Sequence, residues 1–164
     1  MNADTTSSSP NASRVLYSAV IPFLVERVWA LMIQPERLAE WNAEIPEVRD
    51  ITGPMDRVGG GYRQVWRVAG RRMVSKGLWQ VTAVEPFRHR EFRGLTPMGP
   101  MVGRDWFEPI EGGMRLTVEV EYTPPWGPVG RLLDPIFRAM FRRTVSRNGR
   151  ALTALLADED SETP

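Results

Sequence analysis

From Val129 to Leu156 the apolar residues fall at Val129, Leu132, Leu133, Ile136, Phe137, Met140, Phe141, Val145, Leu152, Leu155 and Leu156. That i, i+3, i+4, i+7 spacing is one face of a long helix. Arg131, Arg138, Arg142, Arg143, Arg147 and Arg150 occupy its other side, and Thr144 and Asn148 interrupt the apolar stripe. Pro135 predicts a kink, or a fresh helix start after Asp134. Either would open a mouth near Trp126 to Leu133. A long terminal helix of this kind needs a broad concave sheet to cover.

Upstream the period shortens to two. Met114, Leu116, Val118, Val120 and Tyr122 share one strand face, and Arg115, Thr117, Glu119 and Glu121 share the other. Further strands are predicted over Val15 to Ile21, Glu47 to Thr52, Tyr62 to Ala69, Met73 to Val84, His89 to Leu95 and Val102 to Glu108, with Gly/Pro-containing breaks between many of them. Expected inward sets are Tyr62, Gln64, Trp66 and Val68, then Met73, Ser75, Gly77, Trp79 and Val81. Phe92 is assigned inward, and the choice between Asp105 and Trp106 stays open. Val25, Val28, Trp29 and Met32 mark a short helix. Pro35-Glu36 opens a second that ends near Trp41. The order is β-αα-β6-α, an α+β class with an antiparallel meander.

Composition narrows the partners. The chain has 164 residues, enough for one domain with a real core. A net charge of +1 gives no field that would draw it to nucleic acid. Cysteine is absent, which excludes disulfides and thiolate metal sites and allows a cytoplasmic location. Lys76 is the only lysine, and the arginines are dispersed, so the basic helix face reads as solvated. No apolar run approaches a membrane span. Residues 1–13 are Ser/Thr-rich and read as a disordered tail, and residues 158–164 as a disordered acidic tail, leaving a domain over 14–157.

Several chemistries lack their motifs. There is no HExxH, no P-loop and no nucleophile elbow, and Gly59-Gly60-Gly61 opens a strand rather than a helix. Neither a metal nor a cofactor is expected. Catalysis, if present, would rest on orientation, desolvation and one or two polar groups.

The segment IPFLVERVWALMIQPERLAEWNAEIPEV (Ile21 to Val48) carries Val28-Trp29, the Pro35 to Leu38 helix and Trp41-Asn42. With VTAVEPFRHREFRG (Val81 to Gly94), WFEPIEGGMRLTVEVEY (Trp106 to Tyr122) and the element order, it resembles the helix-grip fold of the START-like, birch-allergen-like superfamily (SRPBCC). Within it, the chain is similar to the bacterial polyketide cyclase/dehydrase and lipid-transport branch, over Arg14 to Ala157. The resemblance implies a deep cavity between a curved sheet and the long helix. It implies a hydrophobic or aromatic small-molecule ligand: a polyketide, lipid, sterol, quinone or hormone. Some members cyclise, aromatise or dehydrate what they bind, and others carry it. A monomer or homodimer is expected.

On that fold, the candidate ligand contacts are Tyr62, Gln64, Trp66, Trp79, Phe92, Trp106 and Tyr122 from the strands, with Phe137, Met140, Phe141, Thr144 and Asn148 from the helix. The aromatics either line a cavity or fill a core. Asn148 needs a backbone group, a water or a ligand, because a buried unpaired amide costs about 1–3 kcal/mol. Catalytic candidates are Asp105, His89 and Arg93. Asp105 is a general base if buried, or a surface partner of a residue such as Arg104. His89, the sole histidine, is a base or a surface residue. Arg90 and Arg93 polarise a ligand carbonyl if inward, and are solvated otherwise. Trp29 and Trp41 are assigned to fixing the small helices.

Overall fold

The computed structural model describes residues 12–68, 70–96, 99–124 and 127–162. The chain runs β1 (Ser13–Ile21), α1 (Val25–Met32), a 3₁₀ turn (Pro35–Arg37), α2 (Leu38–Trp41), β2 (Glu47–Gly53), β3 (Gly61–Val68), β4 (Arg71–Val74), β5 (Trp79–Glu85), β6 (His89–Thr96), β7 (Gly99–Ile110), β8 (Gly113–Tyr122) and α3 (Gly127–Glu162). The strands form one curved antiparallel sheet in the order β1-β8-β7-β6-β5-β3-β2, with β4 paired to β3 alone. This is the expected helix-grip arrangement.

Alternation sets the faces. The β8 pattern holds: Met114, Leu116 and Tyr122 are buried on the helix side. β7 pairs with β8 residue for residue from Met101 opposite Tyr122 to Ile110 opposite Gly113. Gly112, at φ +76°, supplies the left-handed residue of the tight turn between them.

Three expectations need correction. The single strand over Met73 to Val84 is two, because the chain leaves the ladder at Ser75 to Leu78. Met73 is consequently exposed, while Ser75 is buried and accepts the indole N–H of Trp66 at 3.1 Å. The terminal helix is longer than its apolar period, and Pro135 stands inside one continuous element. The expected acidic tail continues this helix to Glu162, with Glu159 and Asp160 paired to Arg37 and Arg27 at 2.5 and 2.6 Å. Residues 1–11 of the expected N-terminal tail, and residues 163–164, lie outside the described residues, and Ser13 already begins β1.

The two ends of the concave space differ. Toward the C-terminal end of α3, Leu152 and Leu156 pack with α1, Ile21, Phe107 and Met114 into a dense core. Each such buried side chain contributes roughly 1.5–3 kcal/mol. Toward the other end, the first turns of α3 leave Val129, Leu132, Ile136 and Met140 in solvent, Leu132 at 80% exposure. Between these regions, the middle of α3 spans the sheet over a cavity.

Candidate functional site: a cavity under the long helix

The cavity has a volume of about 190 Å³. Its sheet side is walled by Tyr62, Gln64, Trp66, Trp79, Arg90, Phe92, Met101 and Asp105, with Leu116, Val118 and Val120 of β8. Phe141, Thr144, Val145, Asn148 and Leu152 of α3 roof it. Met32, Leu38, Trp41, Glu44 and Ile45 close one side from the small helices and the loop after them.

The floor is built from two ring-over-glycine pairs. Phe92 lies opposite Gly103 on β7, and its ring occupies the space where a Gly103 Cβ would stand, at 2.0 Å. The Trp79 ring does the same over Gly94, at 1.8 Å. The absent side chains let both rings lie on the sheet, where they meet with centroids 5.2 Å apart.

One charged pair sits in this wall. Asp105 is 2% exposed and Arg90 4%. Arg90 Nε and Nη2 both donate to Asp105 Oδ2, at 2.9 and 2.7 Å. Its Nη1 donates to the Met32 carbonyl at the end of α1, at 2.8 Å. The guanidinium also lies 5.4 Å from the Phe92 ring centroid. Among the described residues, no hydrogen bond reaches Asp105 Oδ1. Burial pushes the Asp105 carboxyl above its ordinary value, against the pull of Arg90. Burial likewise pushes the neighbouring Tyr62 phenol up to about 12, so it stays protonated.

Unmet polar groups mark the rest of the wall. Gln64 is 4% exposed, and its Oε1 has no partner, while Nε2 lies 3.5 Å from the Tyr62 hydroxyl. Asn148 is 9% exposed, and its Oδ1 has none. Trp41 Nε1 and Glu44 Oε2 are also buried without hydrogen bonds. The other Glu44 oxygen pairs with Arg147 of α3 across the rim. All four residues belong to the cavity wall.

Of the residues singled out in the sequence, Tyr62, Gln64, Trp66, Trp79, Phe92, Phe141, Thr144, Asn148 and Asp105 come together here. The others do not line the cavity. Trp106 and His89 stack on the opposite sheet face with ring centroids 5.2 Å apart. Arg93 shares that face and pairs with Glu91 at 3.1 Å. Tyr122 packs on Phe141 and donates to Asp134 at 2.8 Å, which ties β8 to α3. Phe137 packs beside this contact, and Met140 is exposed. The mouth expected near Trp126 to Leu133 is not a cavity wall: Trp126 lies outside the described residues, and the roof begins at Phe141.

Sequence reasoning underrated two wall residues. Arg90, not Arg104, is the partner of Asp105, and the signal was parity: Arg90, Phe92 and Gly94 alternate with His89, Glu91 and Arg93. Trp41, assigned to holding the small helices, also presents its indole edge to the wall, and no pattern in its short helix marks this.

Known structures share this architecture. TTHA0849 from Thermus thermophilus superposes with a TM-score of 0.71 at 19% identity, covering 90% of this chain and 99% of that one. Zhui aromatase/cyclase from a Streptomyces species gives 0.71 at 15% identity, covering 89% and 94%. Ara h 8.0201 gives 0.67 at 12% identity, covering 90% and 99%. No curated protein matches the sequence. No helix among the described residues is long and apolar enough to cross a membrane. The family profile described as "Polyketide cyclase / dehydrase and lipid transport" matches residues 13–157, and the chain belongs to that family, within the SRPBCC superfamily whose members bind hydrophobic ligands.

Proposed function

We propose that this protein binds a small, largely apolar molecule in the cavity between the sheet and α3. The observation that carries the reading is unmet polarity in an apolar wall: Gln64, Asn148 and Trp41 hold buried atoms without hydrogen bonds around about 190 Å³ of space. Each such group costs on the order of 1–3 kcal/mol until something satisfies it. A solid core would have no use for them. Size limits the ligand. An engineered cavity of about 150 Å³ takes benzene, whereas drug-sized ligands occupy about 300–1,000 Å³. The space suits one or two rings, or a short acyl chain, rather than a long folded polyketide. Native mass spectrometry of the purified protein, followed by denaturing extraction, tests this. A released aromatic or acyl compound is expected. A ligand-free protein whose melting temperature no aromatic or acyl compound shifts would overturn the reading.

A second reading adds chemistry to the same site. It is favoured by Asp105, a buried carboxylate with one oxygen uncommitted and an elevated pKa, beside the protonated Tyr62. Such a group suits a general base, and the cavity would hold the reacting atoms together. In this form the protein promotes cyclisation or dehydration of its ligand; in the carrier form it only holds a lipid or quinone. Asp105→Asn separates them. Loss of turnover with binding retained supports the enzyme, and no turnover of the extracted ligand's precursor by the native protein supports the carrier.

A further inference from the structure

The cavity wall has a charge property of its own. Its ionisable groups among the described residues are Glu44, Arg90 and Asp105, with the phenols of Tyr17 and Tyr62. The one cation among these lining residues is already charge-paired: three of its five N–H groups donate to Asp105 Oδ2 and the Met32 carbonyl. Arg147 pairs with Glu44 but does not line the cavity, and its own side chain is half exposed. A carboxylate or phosphate bound here would therefore meet two carboxylates and no cation whose charge is unpaired. A buried anion without a partner is strongly disfavoured. The amides of Gln64 and Asn148 each have a donor and an acceptor end, so a neutral hydroxyl can bond to either.

Resting on the ligand-binding reading above, we infer that this cavity selects neutral, hydroxyl-bearing ligands and rejects carboxylates, and that Asp105 sets this preference by occupying Arg90. The geometry makes the second half sharp. Removing the negative charge of Asp105 while keeping its shape would leave a buried guanidinium with free donors beside the cavity, which is a carboxylate receptor.

Naphthol, naphthoate and naphthalene share one two-ring body and serve as probes, with affinity read by calorimetry and folding by melting temperature. Native protein is expected to bind naphthol about tenfold or more tighter than naphthoate, and tighter than naphthalene. In Asp105→Asn, naphthoate should gain about tenfold while naphthol moves far less. Glu44→Gln sits on the rim, outside the buried pair, and should also favour naphthoate, by a smaller factor. It carries the test if Asp105→Asn does not fold. Native protein that binds naphthoate as well as naphthol would overturn the charge selection alone. A folded Asp105→Asn with no naphthoate gain would overturn the role of Asp105. If none of the three probes binds, the ligand-binding reading falls, and this inference with it.

Discussion

Along β6 and β7 the two faces of the sheet carry the same kinds of charge and use them differently. On the concave face, Arg90 and Asp105 form one closed pair, sealed between strand, helix and ring. On the convex face, Arg104 contacts Glu91, Glu119 and Glu121 at 2.8, 2.6 and 3.2 Å. Arg93 and Arg14 join from the sides at 3.1 and 3.2 Å, and both are half exposed. Burial opposes ionisation of Glu91, but hydrogen bonds from Arg104, Thr82 and Arg93 outweigh it and hold the carboxyl below its ordinary value. Asp105 shifts the other way, because its deeper burial outweighs one arginine. A charge cluster with several partners and access to water stays ionised. A single pair in a cavity wall raises a carboxyl instead, because burial there is opposed by only one cation.

Removing one partner should separate the faces most. Arg90→Met leaves Asp105 buried without its cation and should cost about 3–5 kcal/mol. Asp105 then favours its protonated form more strongly. Its pKa lies above the unfolded value, so stability is regained as pH falls through the folded pKa and lost as pH rises. A denaturation series from neutral to acid pH reads both the loss and its slope. A loss that stays flat with pH would show that Asp105 is not the group left stranded.

The next effect concerns shape. Gly103→Ala places a methyl group 2.0 Å from the Phe92 ring, and Gly94→Ala places one 1.8 Å from Trp79. Each ring would have to lift from the sheet into the cavity, costing about 1–3 kcal/mol by overpacking. Ligand affinity should fall with stability. Alanine at Gly112, in the turn, should destabilise through its positive φ without touching affinity. Equal affinity losses in all three variants would mean that the rings do not form the floor.

On the convex face the cost should be smaller. Arg104→Met leaves three glutamates together, but water, Arg14 and Arg93 remain to screen them. A loss of about 1–2 kcal/mol is expected, shrinking in high salt, whereas the Arg90→Met loss should not. Urea melts at low and high ionic strength decide this. Matching salt responses would erase the distinction between the faces.

This contrast also explains what the chain discloses before folding. β8 is legible because only one of its faces is apolar, so alternation names the inside. β6 and β7 are not, because arginine and acid stand on both faces and Trp106 is on the outer one. Pairing geometry, not residue type, sends Asp105 inward and leaves Trp106 with His89. The period of α3 announces a helix but not what covers it. Leu132 and Phe141 fit the same stripe, yet the sheet reaches only the second. The break between β4 and β5 is hidden because Ser75 to Leu78 continue the alternation while the backbone departs from it.

About 1 kcal/mol, with the opposite sign, is expected at the roof. Asn148→Leu replaces a buried amide oxygen that lacks a partner with an apolar side chain of similar size. Removing an unmet polar group from an apolar site should raise the stability of the ligand-free protein by about that amount. Affinity for a hydroxyl-bearing ligand should fall at the same time. Stability gained with affinity unchanged would place the ligand elsewhere.

The smallest effect is the strictest check on the division of faces. Arg93 was a catalytic candidate on residue type alone, and it stands three residues from Arg90 on the same strand. Its side chain is 58% exposed and its contact is a surface pair with Glu91. Such pairs contribute about 0–1 kcal/mol. Arg93→Ala should change stability by less than about 0.5 kcal/mol, and Glu91 keeps its shorter contact to Arg104. Ligand affinity should not move, because the sheet itself lies between Arg93 and the cavity. Isothermal titration with any ligand recovered from the native protein reads the second quantity directly. A clear loss of affinity in a variant that melts normally would mean that the charge of Arg93 is felt through the sheet, and that the cavity is not electrically isolated from the convex face.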